Sequence, residues 1–113
     1  MINVYFSPKI YSIADDLIRV ATSKLIHSHI HPKHYAIIEL GIVTLLKPGE
    51  RYPMHDDGLN NMNIVTFLNN NGGMKFKDLD VKAFKGLSIK FNTSISHQPY
   101  TSNKDRWALL QRI

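Results

Sequence analysis

The stretch Lys47-Pro48-Gly49-Glu50-Arg51-Tyr52-Pro53-Met54-His55-Asp56-Asp57 decides how this chain is read. Pro48 and Gly49 occupy the centre of the Lys47–Glu50 segment and predict a type II turn, in which proline presets φ and glycine takes the left-handed position. An extended piece follows and ends on a histidine and two acids. Side chains two residues apart on extended backbone point the same way, so His55 and Asp57 share a face and can grip one metal ion from one wall. Asp56 competes as the carboxylate, and parity favours Asp57.

The residues downstream of this stretch read as short strands. Residues 62–68 form an apolar run, and Asn69-Asn70-Asn71-Gly72-Gly73 is a hairpin signal leading to a return strand, Met74-Lys75-Phe76-Lys77. Residues 78–85 read as a mixed loop anchored by Val81 and Phe84. Gly86–Phe91 alternates, with Leu87, Ile89 and Phe91 on one face. Asn92–Ser96 lead to His97, and residues 105–113 form a final strand.

Upstream, Tyr35–Leu46 is β-branched and apolar, either one long strand or two short ones bent at Gly41. Residues 2–6 read as a strand. Ser7-Pro8 has the form of an N-cap followed by proline at the first helical position. Ile10, Ile13, Ala14, Leu17, Ile18, Ala21 and Leu25 then fall at helical spacing, predicting a helix over about residues 9–26 whose apolar stripe covers a sheet. The fold class expected is mainly β: a jelly-roll, cupin-like barrel over about residues 35–113, covered by one N-terminal helix, in a single domain spanning 1–113.

Composition narrows the function classes. The apolar content of 43% belongs to a folded domain, and 113 residues suffice for one modest core. No cysteine is present, which excludes disulfides, thiolate metal sites and cysteine nucleophiles. The net charge of +5 is spread over scattered lysines with no basic run, so nucleic-acid binding is not expected. The start lacks a basic segment and cleavage pattern, and no apolar run is long enough to span a bilayer, so a cytoplasmic protein without a membrane partner is expected. A chain this short has sheet edges that a second copy would cover, which makes a homodimer an expectation.

Two further residues complete a constellation. His97, with His55 and Asp57, makes a set of two imidazoles and one carboxylate that leaves up to three positions open on an octahedral ion. That set suits ferrous iron and dioxygen chemistry and also accepts manganese, nickel or zinc. Arg106 lies on the last strand, where strict alternation puts it with Ala108 and Leu110 on one face and Trp107, Leu109 and Gln111 on the other. An arginine facing inward among small and apolar neighbours is costly unless an anion meets it, and a guanidinium holds a carboxylate through two parallel hydrogen bonds. A second cluster, His27-Ser28-His29-Ile30-His31-Pro32-Lys33-His34, invites a zinc or nickel reading. It has no nearby acid or cysteine to close a site, so the favoured reading is a polar loop with exposed imidazoles ended by Pro32.

Taken together, residues 47–57 with His55-x-Asp57, the Gly72-Gly73 pair, Gly86 separated by ten residues from His97, and the following Arg106 resemble the core of the iron(II)- and 2-oxoglutarate-dependent oxygenases. They are similar in particular to the prolyl-hydroxylase-like branch, over roughly residues 44–112. The resemblance implies a double-stranded β-helix, with His55, Asp57 and His97 as iron ligands and Arg106 as partner of the distal carboxylate of the cosubstrate 2-oxoglutarate. It also implies a hydroxylase acting on a protein side chain or a small metabolite. The interval from Asp57 to His97 is short for that family. The tyrosine that many relatives carry ahead of the histidine is replaced by Leu45-Leu46-Lys47, with Tyr52 nearby. Two other readings stand beside this one. One is a cupin-type metal protein without keto-acid chemistry, although cupins usually carry a glutamate after the first histidine and none follows His55 here. The other is a non-enzymatic jelly-roll that binds a partner or builds an assembly.

Overall fold

A computed structural model describes residues 1–29, 34–58 and 60–113. In chain order the elements are β1 (Ile2–Phe6), α1 (Pro8–Thr22), β2 (Ile26–His27), β3 (His34–Ile38), β4 (Gly41–Leu46), β5 (Met62–Phe67), β6 (Gly73–Phe76), β7 (Asp80–Lys82), β8 (Leu87–Asn92), β9 (His97–Tyr100) and β10 (Arg106–Arg112). The strands form a seven-stranded sheet in the order β1-β8-β5-β10-β4-β3-β2 and a three-stranded sheet in the order β7-β6-β9. Every ladder is antiparallel.

The larger sheet is a middle layer with a different core on each face. On one side α1 buries Ile10, Ala14, Leu17 and Ala21 against Ala36, Val43, Leu45, Leu68, Trp107 and Leu109. The fully buried alanines at 14 and 21 let the helix approach the strands closely. On the other side Val65, Phe67, Ile89, Phe91 and Ala108 meet Met74, Phe76 and Val81 of the smaller sheet. β10 shows the alternation most plainly: Trp107 and Leu109 pack toward the helix, whereas Arg106, Ala108, Leu110 and Arg112 line a cavity between the sheets. The expected architecture, a jelly-roll-like pair of sheets with one covering helix, is the one observed. Among the described residues no helix is long and apolar enough to cross a membrane.

Several local expectations are corrected. The helix stops at Thr22, not near residue 26. Thr22 Oγ1 donates to Ile18 O at 2.7 Å and Ser23 Oγ to Val20 O at 2.8 Å, so two hydroxyls compete for backbone carbonyls at the end. Leu25 still packs on the helix-side core, which is why apolar spacing alone overran the end. Of the two readings of Tyr35–Leu46 the second holds: two strands, β3 and β4, meet at Gly41 and pair as a hairpin. Residues 78–85 contain the short strand β7, and of the two expected anchors Val81 is buried while Phe84 is 56% exposed.

The largest correction concerns residues 69–73. They join β5 to β6, but these strands lie in different sheets, so the segment is an arch and not a hairpin turn. Its asparagines explain the difference. Asn69 accepts from Trp107 N, Asn69 and Asn71 both donate to Asp105 O, and Asn70 accepts from Lys85 N. These side chains tie the arch to neighbouring segments of chain. Gly72 has φ +75°, and a Cβ there would collide with the Tyr100 carbonyl oxygen, so the crossing requires glycine.

Candidate functional site

The turn at residues 47–50 forms as read: Gly49 has φ +84°, and Glu50 N donates to Lys47 O at 3.1 Å. The chain then runs without ladder partners until His55, which makes a single bridge to His97. His55 N donates to His97 O at 3.0 Å and His97 N to His55 O at 2.8 Å. Two residues on, Asp57 N donates to Thr93 O at 2.7 Å, and Thr93 Oγ1 accepts from Asn61 N at 3.1 Å. These bonds pin His55, Asp57 and Asn61 against residues 93–97, beside β9. Direct cross-strand partners share a face, and so does a residue two positions along. His55, His97 and Asp57 therefore converge.

The ring orientations make this convergence chemical. His55 Nδ1 lies 2.8 Å from Pro53 O, and His97 Nδ1 lies 2.9 Å from Ile95 O. A carbonyl only accepts, so each Nδ1 carries its hydrogen, and each ring when neutral offers a lone pair at Nε2. His55 Nε2 is 3.5 Å from Asp57 Oδ1, and His97 Nε2 is 3.4 Å from Asp57 Oδ2. Ligand atoms of all three residues lie within 4.8 Å of one another. Three electron-rich atoms facing one point call for a cation, and a proton on His97 or a divalent ion can each serve. Hydrogen bonding to His97 holds the Asp57 carboxyl below the usual carboxylate range. Burial opposes this, while a hydrogen bond from Asn63 and the charges of His97 and His55 reinforce it. Two imidazoles tied back at Nδ1 and one ionised carboxylate fit a first-row divalent metal. Asp56 stands outside the cluster; its Oδ1 accepts from Gly58 N at 2.9 Å in a local turn.

Arg106 opens β10 and is 2% exposed. Its Nε donates to Gly73 O at 3.0 Å, and its guanidinium lies over the Phe67 ring at 5.2 Å. Among the described residues its buried Nη2 has no hydrogen-bond partner. Burial lowers its pKa to about 10, which leaves it cationic at neutral pH. A buried cation with an unmet donor carries a penalty of several kcal/mol that an arriving carboxylate relieves. The cavity it faces has a volume of about 280 Å³ and is also lined by His55, Asp57 and His97, with Leu46, Met74 and Leu110 among its apolar walls.

Tyr52 joins the site without having been assigned a role from sequence. It lines the cavity and stacks on His55 with ring centroids 5.0 Å apart. Burial, then the Asp57 charge, pushes its phenol up to about 12, so at neutral pH it keeps its proton. Asn63 and Arg112 were also missed. Asn63 Nδ2 donates to Asp57 Oδ2 at 2.7 Å, and Arg112 Nη2 lies 3.5 Å from the same oxygen. One signal was available: continuing the alternation of Arg106, Ala108 and Leu110 reaches Arg112 on the same face.

The other histidine cluster is built differently. His27 and His34 are register partners across β2 and β3, and their rings stack at 4.7 Å. His29 sits edge-on to His27 at 5.8 Å, and His34 Nε2 pairs with Glu50 Oε2 at 2.9 Å. Glu50 is an acid near this cluster that the sequence reading did not find. His31 and Pro32 lie outside the described residues. Among the described residues, the grouping of three metal-capable side chains is His55, Asp57 and His97.

No protein-family model matches the sequence, and no curated protein matches it. Solved structures do match. The viral collagen prolyl hydroxylase of Paramecium bursaria Chlorella virus 1, in a 2-oxoglutarate complex, superposes with a TM-score of 0.74 over 98% of this chain and 93% of that one, at 14% identity. An RmlC-like cupin protein from Desulfovibrio desulfuricans superposes with a TM-score of 0.51 over 79% of this chain and 83% of that one, at 12% identity. With its two antiparallel sheets and single covering helix, this chain has the double-stranded β-helix fold common to these structures.

Proposed function

We propose that the protein is an iron(II)- and 2-oxoglutarate-dependent oxygenase, a hydroxylase of a protein side chain or small metabolite. One observation carries the reading. A His-Asp-His cluster and a buried guanidinium with an unmet donor line the same cavity. A metal site alone requires no buried arginine, and a structural arginine would have found a partner.

In this reading His55, Asp57 and His97 hold the metal through Nε2, a carboxylate oxygen and Nε2. Arg106 receives the distal carboxylate of the keto acid, with the protonated Tyr52 hydroxyl lining the same cavity. Leu46, Met74 and Leu110 keep the space between the two ends dry, which strengthens each charged contact. When bound, ferrous iron and 2-oxoglutarate supply the oxidative decarboxylation that drives hydroxylation of a C–H bond.

The test is anaerobic titration with ferrous iron followed by 2-oxoglutarate. A visible charge-transfer band from the chelated keto acid is the expected result. Absence of the band at saturating ligand overturns the proposal. The likeness to an RmlC-like cupin supports a second reading, a metal-binding cupin without keto-acid chemistry. That protein would bind the metal and leave its spectrum unchanged on adding 2-oxoglutarate.

A further inference from the structure

We infer that Asn63 and Arg112 act as a brace that holds Asp57 to the metal through one oxygen, keeping a coordination position open. The inference rests on the metal-site reading above and adds two positioning residues to it.

The three side chains close a ring. Asn63 Nδ2 donates to Asp57 Oδ2 at 2.7 Å, Arg112 Nε donates to Asn63 Oδ1 at 2.9 Å, and Arg112 Nη2 lies 3.5 Å from Asp57 Oδ2. The amide orientation is fixed by chemistry, because a guanidinium only donates and a carboxylate only accepts. Asn63 and Arg112 are also direct register partners in the β5–β10 ladder, so the backbone sets their spacing. Asn63 is fully buried and sits in an otherwise apolar strand, Met62–Phe67, broken elsewhere only by Thr66. A buried amide there costs stability unless each of its polar atoms is met, and both are.

The consequence falls on Asp57. Its Oδ2 already accepts a short charge-assisted bond and faces a cation, which makes that oxygen the poorer metal donor. Oδ2 also lies 3.4 Å from His97 Nε2, but Oδ1, 3.5 Å from His55 Nε2, takes no bond from the brace and is left to coordinate. A carboxylate held this way binds through one oxygen. Without the brace it can swing and bind through both, filling a position that a substrate needs. Pure electrostatics predicts the opposite influence on affinity for Arg112, since a cation beside the site repels a metal. Loss of affinity on removing Arg112 therefore separates positioning from charge.

The test uses Mn(II) alone as probe, with affinity from the EPR signal of the free ion and bound-water number from water proton relaxation. Asn63→Leu, checked for native circular dichroism and melting, is expected to weaken Mn(II) binding about tenfold or more and to reduce the bound-water number. Arg112→Gln, at a half-exposed position, is expected to move both readouts in the same direction, by about threefold in affinity, and it decides the matter if Asn63→Leu does not fold. Folded variants that match the wild type in both readouts overturn the brace while leaving the metal site standing. Tighter binding by Arg112→Gln overturns it as well. A wild-type protein that binds no Mn(II) overturns the metal site and the brace together.

Discussion

His55 faces His97 across one antiparallel contact, and His27 faces His34 across another. Each pair has a carboxylate in reach, Asp57 in the first and Glu50 in the second. Ring separations are nearly equal, at 4.5 and 4.7 Å. The outcomes differ because of what holds the rings. In the first pair each Nδ1 is tied to the carbonyl two residues upstream, which aims both Nε2 atoms at one carboxylate. In the second the rings stack, and Glu50 takes up His34 Nε2 directly. Nearness of ligating residues is thus a weak sign of a metal site. The orienting contacts behind the ligands carry the information.

The largest expected effect breaks the comparison outright. His97→Ala or Asp57→Ala should lower Mn(II) affinity at least about a hundredfold, since each removes one of the three proposed ligands. The double variant His27→Ala/His34→Ala should keep one bound Mn(II) per chain with affinity within about twofold of wild type. Calorimetric titration of both measures it. A stoichiometry that falls with the second variant would show that the stacked pair is a site after all.

Next in size is Arg106→Met, which tests the other end of the cavity. Keto-acid binding to the metal-loaded protein should fall at least about tenfold, as the proposed charge-assisted contact is lost. Metal affinity should stay within about threefold of wild type, since Arg106 lies outside the His-Asp-His cluster. The ligand-free variant should also melt higher than wild type, by an amount corresponding to about 1–4 kcal/mol, because an apolar side chain replaces a buried cation with an unmet donor. Higher melting with lost binding marks a residue retained for a ligand. Lower melting would show that the Gly73 bond and the Phe67 contact make Arg106 structural.

How much of this contrast was legible beforehand depends on the distance over which a signal acts. The helix, the Pro48-Gly49 turn and the inward parity of Arg106 are local patterns, and the structure shows all three. The pairing of His55 with Asp57 on one face followed from spacing alone. The role of the asparagines at 69–71 was not legible, because their partners at Asp105, Trp107 and Lys85 come from other parts of the chain. Asn63 and Arg112 are 49 residues apart, and only strand register brings them together. Glu50 meets His34 for the same reason, 16 residues away.

A smaller effect sharpens the second pair. Glu50→Gln keeps an acceptor for Lys47 N but removes the charge beside His34, and should cost about 1 kcal/mol or less in unfolding experiments. Mn(II) binding should not change. A larger cost would mean that the pair does more than tie the turn at residues 47–50 to β3.

The smallest expected effect separates a perturbed carboxyl from a functional one. Asp80 also has a lowered pKa, chiefly through the Tyr100 hydroxyl at 2.7 Å, with Lys82 at 3.2 Å adding to it. Its folded value lies below its unfolded one, so the contact stabilises the protein above the unfolded value near 4 and the gain is lost as pH falls through the folded value. Tyr100→Phe should therefore be slightly less stable than wild type at pH 6, with the gap closing below about pH 4. Solvent screening at this exposed edge of the smaller sheet keeps the gap small. Metal binding should be the same in both proteins. Asp57 and Asp80 then have the same direction of shift and different meanings. Asp80 is met by a hydroxyl and an ammonium that satisfy it, while Asp57, besides its bond from Asn63, faces two imidazole Nε2 atoms in an arrangement that fits a cation between them.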